Sequence, residues 1–251
     1  MNRLRSNQSR THRGTIPSRS RITPFLLSLL LAASSFAETS YLRPGQPNGA
    51  ELLAPPPLPG SAEEAADLAT VRAVVKGRTD AEKNRAITDS SLSFSLFVPA
   101  IGAEFDLTKL PKTQAVLEKV KTDIQEAIDS PKDYFRRKRP YQLDESLGLG
   151  KPEPSFGYPS GHSIRGTVYA ALLAELFPEH KDAVLAIGRN IGWDRVLIGK
   201  HFPTDIYAGR VVAKAIVREL KTNSAFQHDF AEAKAEIAAL HAAPALSETA
   251  K

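Results

Sequence analysis

Cysteine is absent from this 251-residue chain, and methionine and tryptophan each occur once. The absence of cysteine excludes a disulfide-stapled mini-protein and removes the usual ligands of a structural zinc site. Hydrophobic residues make up 42% of the sequence and charged residues 24%. This composition excludes disorder throughout the chain and suits one ordinary globular domain or two small ones.

Acidic residues are absent from the first 37 positions, which contain six arginines and no lysine. The formal net charge of the whole chain is +5, whereas residues 38–251 are close to neutral, with 27 basic and 28 acidic side chains. Because the excess basic charge lies in this leader, we expect no nucleic-acid partner for the rest of the chain.

Long apolar runs are missing as well. The leader ends in an apolar run of about 13 residues, which is shorter than the roughly 18 to 20 residues that a membrane-spanning helix needs. Small residues follow this run up to Ala37, and the first acidic residue is Glu38. This pattern predicts a signal peptide over residues 1–37, cleaved after Ala37, and a periplasmic or secreted protein without a stable membrane span. The alternative is an uncleaved N-terminal anchor.

Strand-like alternation is nearly absent from the remaining chain, and apolar residues recur at helical spacing instead. Prolines predict an extended N-terminal arm over residues 38–60, laid over the domain surface. We predict one compact all-α domain over residues 61–245, with about six to eight helices, and a disordered tail over residues 246–251. The expected helices are residues 61–78, 79–96, 112–128, 160–177, 181–197, 204–220 and 225–241.

Three separated clusters carry the candidate chemistry. The first runs from Lys132 to Arg139-Pro140 and contains five basic residues; taken alone, such a run is typical of a solvated face. The second, Ser160-Gly161-His162, opens an apolar helix, where a capping serine, a glycine and free N–H groups favour an anion site. A capped helix without a ligand is the alternative interpretation.

The third cluster holds a histidine and a carboxylate four residues apart at a helix start. Pro203 marks that start, so His201 and Asp205 fall on one side of the opening turn. A carboxylate that bonds one imidazole nitrogen leaves the other nitrogen free as a nucleophile. A structural cap or half of a metal site would have the same spacing, but further metal ligands are lacking, because we interpret the histidines at 180, 228 and 241 as surface residues.

Taken in order, the three clusters resemble the signature of the type 2 phosphatidic acid phosphatase superfamily. The matching residues are Lys132-x6-Arg139-Pro140, Pro159-Ser160-Gly161-His162 and Arg195-x5-His201-x3-Asp205. Within that superfamily the chain most resembles the secreted class A bacterial non-specific acid phosphatases, over most of residues 50–240. The resemblance implies an all-α fold of the acid phosphatase and vanadium-dependent haloperoxidase type.

The resemblance also implies a role for each matching residue. His201 would be the nucleophile, Asp205 its orienting partner and His162 the general acid, and the phosphoryl oxygens would be bound by Lys132, Arg139, Ser160, Gly161 and Arg195. The implied reaction is hydrolysis of small phosphomonoesters, nucleotides among them, through a phosphohistidine, without a metal or another cofactor. A neutral nucleophile and a protonated acid predict a bell-shaped rate profile on the acid side of neutrality. A homodimer is also implied.

One departure from the signature bears on activity. Asp194 stands before Arg195, where the superfamily usually has serine, and its charge would either weaken the pull of Arg195 on phosphate or point away. Three other functions stay open: a phosphatase for lipid phosphates or isoprenoid diphosphates, a vanadium-dependent haloperoxidase, and a phosphate-binding module without turnover.

Overall fold

Helices account for the regular structure of residues 40–242, the part of the chain that a computed structural model describes, and no strand occurs among these residues. The predicted all-α class is therefore confirmed. The expected signal peptide and C-terminal tail lie outside the described residues. The helices are α1 (Gly49–Leu52), α2 (Ala62–Gly77), α3 (Asp80–Thr88), α4 (Val98–Ile101), α5 (Pro111–Asp123), α6 (Gln125–Phe135), α7 (Pro140–Leu143), α8 (Gly161–Leu176), α9 (Lys181–Leu197), α10 (Pro203–Thr222) and α11 (Ser224–Ala242).

Side-chain caps explain where several of these helices begin. Ser61 accepts a hydrogen bond from the Glu64 N–H at the start of α2. Thr79 and Glu82 form a reciprocal capping box at the start of α3. Ser160 caps α8 by accepting from the Ser163 N–H at 3.3 Å. Each cap satisfies N–H groups that have no partner within the helix.

Two predicted helices have the wrong extent. The stretch predicted over 79–96 ends at Thr88, because the Ser90 hydroxyl donates to the Ile87 carbonyl and competes with the helical ladder. A 3₁₀ turn over Phe94–Phe97 then leads into α4. The stretch predicted over 112–128 is two helices that meet at Ile124. The apolar residues keep their spacing of four across this junction, so periodicity alone does not reveal it.

The segment predicted as an arm is anchored in the core rather than only laid over it. Tyr41, Leu42 and Leu53 are buried, and the Tyr41 N–H donates to the Asp123 carboxylate at 2.7 Å. The following prolines line a cavity of about 700 Å³ together with side chains of residues 134–138. The arm therefore adds apolar contacts to the domain.

Helices α8, α9 and α10 form the centre of the domain and bring three helix ends together. A Cβ added to Gly209 on α10 would lie 2.7 Å from the Ser160 carbonyl oxygen, so only glycine allows this approach of α10 to the start of α8. The Ser160 N–H donates to the Asp205 carbonyl at 3.0 Å. As a result, the first turns of α8 and α10 lie beside each other, next to the chain that leaves α9. No helix among residues 40–242 has the length and apolar character to cross a membrane.

Candidate active site

The turn between α9 and α10 positions two of the expected site residues. The Arg195 carbonyl accepts hydrogen bonds from the backbone N–H groups of Lys200 at 2.8 Å and His201 at 3.2 Å. Gly199 has a φ of +66° within this turn, and a Cβ there would collide with the Leu147 carbonyl. The turn thus folds His201 back toward Arg195 at the end of α9.

The His201 ring is held at both nitrogens and is almost completely buried, with 1% of its side chain exposed. Its Nδ1 lies 3.1 Å from an Asp205 carboxylate oxygen, and Arg139 Nη1 lies 3.2 Å from its Nε2. A guanidinium only donates, so Nε2 must accept and the ring proton must be on Nδ1. Burial, and then the charges of Arg139 and Lys132, hold the pKa of His201 well below its usual range. The ring is therefore neutral, with a lone pair on Nε2.

The buried Asp205 carboxylate accepts hydrogen bonds from three donors. It accepts from the Phe202 N–H at 2.9 Å and from Arg137 Nη1 at 2.6 Å, as well as from His201. Burial raises the pKa of Asp205 to about 6, and the Arg137 charge and these hydrogen bonds oppose that rise. The carboxylate is ionised above about pH 6, and it then fixes the orientation of the His201 ring.

The first turn of α8 brings Ser160, Gly161 and His162 to the same place. Ser160 is fully buried, and its backbone N–H donates to the Asp205 carbonyl. A Cβ on Gly161 would lie 3.0 Å from Ile128 Cγ2 and 3.8 Å from Lys132 Cε, so the glycine lets the helix start approach this lysine closely. N–H groups of a first helical turn lack partners within the helix and attract anions.

His162 lies at the edge of this group and is half-buried. Its Nε2 lies 3.3 Å from the Ser90 carbonyl oxygen. Burial, and then the Arg195 charge, lower the pKa of His162 to about 3, against the raising effect of the Ser90 carbonyl. The neutral form of His162 is therefore favoured.

Lys132 and Arg139 bring two buried cations from α6 and the start of α7. Lys132 donates to the Phe156 carbonyl at 2.6 Å; burial, and then Arg139, lower the pKa of Lys132 to about 8. Arg139 donates to the Lys200 carbonyl at 3.0 Å and to the Ser155 carbonyl at 2.9 Å. With exposures of 4% and 1%, these cations are not part of a solvated face.

Arg195 is the third buried cation and has fewer partners than Arg139. Its guanidinium donates to the Glu153 carboxylate, and its buried Nε has no hydrogen-bond partner among the described residues. Glu153 also lies 2.9 Å from Arg139 Nη2. The buried cations Lys132, Arg139 and Arg195 thus lie in one site with the partly exposed Glu153 carboxylate, and such a positive pocket stabilises an incoming anion.

Comparison with known proteins assigns the chain to a family. The sequence profile of the PAP2 superfamily matches residues 121–225. A non-specific acid phosphatase of Salmonella typhimurium is 30% identical over 87% of this chain and 93% of its own length, and an acid phosphatase of Zymomonas mobilis is 30% identical over 74% of each chain. The chain belongs to the PAP2 superfamily. A shorter match, 40% identical over 21% of this chain and 22% of the relative, is to a lipid A 1-phosphatase of Rhizobium etli.

All eight site residues that the sequence predicts in this PAP2 protein lie in the one cluster just described. Two further members have no counterpart in the prediction. Arg137, in the basic run, is buried and pairs with Asp67 at 2.8 Å as well as with Asp205. It belongs to the same basic run as Arg139, and its place in that run is the signal that could have marked it. Nothing in the sequence marked Glu153.

Asp194, the departure from the superfamily pattern, pairs with Arg85 rather than with Arg139 or Arg195. Its carboxylate accepts from Arg85 Nη2 at 2.8 Å and Nε at 3.1 Å, and its side chain is fully buried. Burial, followed by a hydrogen bond to Asp194, raises the pKa of Asp89 to about 7. Arg85, which lies outside the three motifs, therefore compensates the Asp194 charge, and Asp89 shares a hydrogen bond with the same carboxylate.

The histidines outside the motifs also have carboxylate neighbours. His180 and His241 lie 3.0 Å and 2.9 Å from the two carboxylate oxygens of Glu104. Among the described residues, Glu104, Glu179 and His241 are close enough to share a metal ion. None of the predicted site residues belongs to this group, so it is separate from the cluster around His201.

Proposed function

We propose that this PAP2 protein is an acid phosphatase that hydrolyses small phosphomonoesters through a phosphohistidine, without a metal in the reaction. The observation that carries the proposal is the state of His201: neutral, with Nδ1 held by Asp205 and Nε2 among three buried cations. A neutral imidazole with a directed lone pair is a nucleophile, and the cations offset the charge of a phosphoryl group. The acid phosphatase relatives support the same reaction.

In the first step, His201 Nε2 attacks phosphorus and the bond from phosphorus to the ester oxygen breaks. Arg139, whose Nη1 lies 3.2 Å from Nε2, turns its guanidinium to the phosphoryl oxygens, which Lys132 and Arg195 also contact. The leaving oxygen takes a proton from His162. In the second step, His162 takes a proton from water, whose oxygen attacks phosphorus, and the bond from phosphorus to Nε2 breaks.

The proton on His162 is supplied by the substrate, because burial lowers the pKa of the ring and favours its neutral form. A phosphomonoester has a second pKa near 6, so its monoanion brings one proton, and the bound dianion then raises the basicity of the ring that receives it. Productive binding requires this monoanion together with an ionised Asp205, whose pKa is about 6. We therefore expect kcat/KM to peak near pH 6, on the acid side of neutrality.

The test is p-nitrophenyl phosphate hydrolysis with EDTA present, from about pH 4 to 9, by the chain and by its His201→Ala variant. Loss of a nucleophile is expected to lower kcat at least about a thousandfold. His228→Ala is the matched control, because His228 is 73% exposed and is expected to keep full activity. Equal activity of both variants would refute the role of His201.

The intermediate has its own test. Acid destroys a phosphohistidine and alkali preserves it, so protein quenched in alkali during turnover of a radiolabelled substrate should carry label. The label is expected to be absent from His201→Ala. A stoichiometric burst of alcohol without labelled protein would contradict the two-step reaction.

Export is part of the proposal and rests on residues 1–37, whose composition is that of a signal peptide. A fusion of these residues to a periplasmic reporter tests it, and retention of the reporter in the cytoplasm would contradict it. The homodimer and the nucleotide substrates stay predictions.

The lipid-phosphate alternative is kept because of the short match to a lipid A 1-phosphatase. The same preparation should be assayed against a soluble ester and against a lipid phosphate dispersed in detergent micelles. A kcat/KM for the lipid that exceeds the soluble ester's would favour the alternative.

A further inference from the structure

Glu153 contacts the two arginines that the proposed function assigns to the phosphoryl group. One of its carboxylate oxygens accepts from Arg195 Nη2 and the other lies 2.9 Å from Arg139 Nη2. A carboxylate bridging two guanidinium groups uses the geometry that these groups offer to phosphate. Glu153 therefore contacts the two arginines in the way that two phosphoryl oxygens would.

The neighbouring residues of the same loop bind the other cations of the site. The Phe156 carbonyl accepts from Lys132, and the Lys151 carbonyl accepts from Lys200 at 2.7 Å. Carbonyl groups are neutral acceptors, so Glu153 is the residue of this loop that supplies a full negative charge to the arginines. A phosphoryl dianion beside an unmoved Glu153 would face a like charge at short distance.

Glu153 is much more exposed than the two arginines that it contacts. Its side chain is 27% exposed, compared with 1% for Arg139 and 3% for Arg195. The backbone at Glu153 is held by Tyr141, whose hydroxyl accepts from the Glu153 N–H at 3.0 Å and lies 3.3 Å from its carbonyl oxygen. A cavity of about 380 Å³ opens beside the carboxylate and is lined by Leu149, Lys151 and Arg195 among others. Rotation of the side chain alone would thus move the carboxylate off the arginines.

We propose that Glu153 is an internal competitor for the phosphate site and that it sets the affinity of this protein for phosphate. Phosphate displaces the Glu153 carboxylate from Arg139 and Arg195 into the adjoining cavity. Before phosphate binds, the same carboxylate compensates the positive charges of these two buried arginines. The proposal rests on the proposed function, since it takes these two arginines as the phosphate ligands.

The consequence is a weaker apparent affinity for every phosphate ligand. The apparent dissociation constant equals the intrinsic constant divided by the fraction of molecules in which Glu153 has left the arginines. Removing the charge of Glu153 should therefore tighten binding, which is the opposite of what the loss of a merely structural contact does. Substrate and product are held by the same groups, so KM and the product inhibition constant should fall together.

The experiment is a calorimetric titration of the full mature chain with inorganic phosphate, for the wild type, Glu153→Gln, Glu153→Ala and Glu153→Asp. We expect Glu153→Gln and Glu153→Ala to bind phosphate about tenfold more tightly or better, and Glu153→Asp, which keeps the charge, to stay closer to the wild type. Glu145→Gln is the matched control: it removes the same charge from an exposed position of the same loop and should leave the affinity unchanged. Unchanged or weaker binding in both neutral variants would overturn the proposal.

A measurement on the wild type keeps the test decisive if a variant does not fold. In a crystal structure with vanadate bound at Arg139 and Arg195, the Glu153 carboxylate is expected to lie in the adjoining cavity; a carboxylate still on both arginines beside the bound vanadate would refute displacement. Phosphate binding requires no turnover, so these results are separate from those on the reaction. If the wild type hydrolyses esters but Glu153→Gln does not bind phosphate more tightly, only the proposal that Glu153 competes with phosphate is disproved. If the wild type does not hydrolyse esters but Glu153→Gln binds phosphate more tightly, only the proposed phosphatase function is disproved.

Discussion

Replacing Arg137 with methionine tests whether a buried cation outside the three motifs keeps Asp205 ionised. Arg137 donates to Asp205 at 2.6 Å and to Asp67 at 2.8 Å, and its guanidinium lies 4.0 Å from the centre of the Phe202 ring. Its side chain is 3% exposed. Methionine fills a similar volume without the charge, so the change leaves two buried carboxylates without their cation.

Two magnitudes follow from these contacts. Removing one partner of a buried ion pair costs about 3–5 kcal/mol of unfolding free energy. A neighbouring arginine lowers an aspartate pKa by about 1–3 units, so its loss should raise the pKa of Asp205 further above its present value of about 6. Protonated Asp205 no longer accepts from His201, so the acid limb of kcat/KM should move to higher pH by about the same 1–3 units.

The assays are guanidinium unfolding at pH 7 and kcat/KM for p-nitrophenyl phosphate from about pH 4 to 9. Lys138→Met is the control, since it removes the same charge from an exposed neighbouring position and should change the unfolding free energy by less than about 0.5 kcal/mol. An Arg137→Met variant with the stability and the acid limb of the wild type would refute the reasoning. A loss of stability with an unmoved acid limb would limit Arg137 to a structural role.

Three further predictions concern other residues. Asp89 has a folded pKa of about 7, above the ordinary aspartate value of about 3.9, so the folded state holds an extra proton at Asp89 between these pH values. The contribution of Asp89 to the unfolding free energy should therefore fall as pH rises from about 4 to 7. Asp89→Asn should remove this contribution, and a pH dependence equal to the wild type's in urea unfolding would contradict the interaction with Asp194. Gly209→Ala places a Cβ 2.7 Å from a backbone oxygen and should lower the unfolding free energy by about 1–3 kcal/mol. Gly77→Ala is the control, because open space surrounds Gly77, and it should leave the unfolding free energy unchanged. Equal melting temperatures of the two variants would show that α8 and α10 separate freely. Lys132 has a pKa of about 8, so its charge is lost and kcat/KM should decline further as pH rises through that value. Lys132→Met should remove this second decline together with most of the activity.

The sequence by itself determined the helical class and several helix starts, and it marked eight of the residues that the structure brings together around His201. These features are local. A capping side chain such as Thr79 acts on N–H groups within three residues, and the motif residues stand at helix ends that their own neighbours define. Apolar spacing located the helices but did not reveal the junction at Ile124, because the same spacing continues across it.

Only the tertiary structure decided which charges meet and which are buried. Arg137 pairs with Asp67 across 70 positions, and Asp194 pairs with Arg85 across 109, and neither pairing has a local pattern. Glu153 reaches the arginines because its loop folds back over them. Ionisation follows the same rule: the pKa of His162 is lowered by burial and by Arg195, and both depend on packing. A motif specifies which groups are available, whereas desolvation and long-range pairing set their charge.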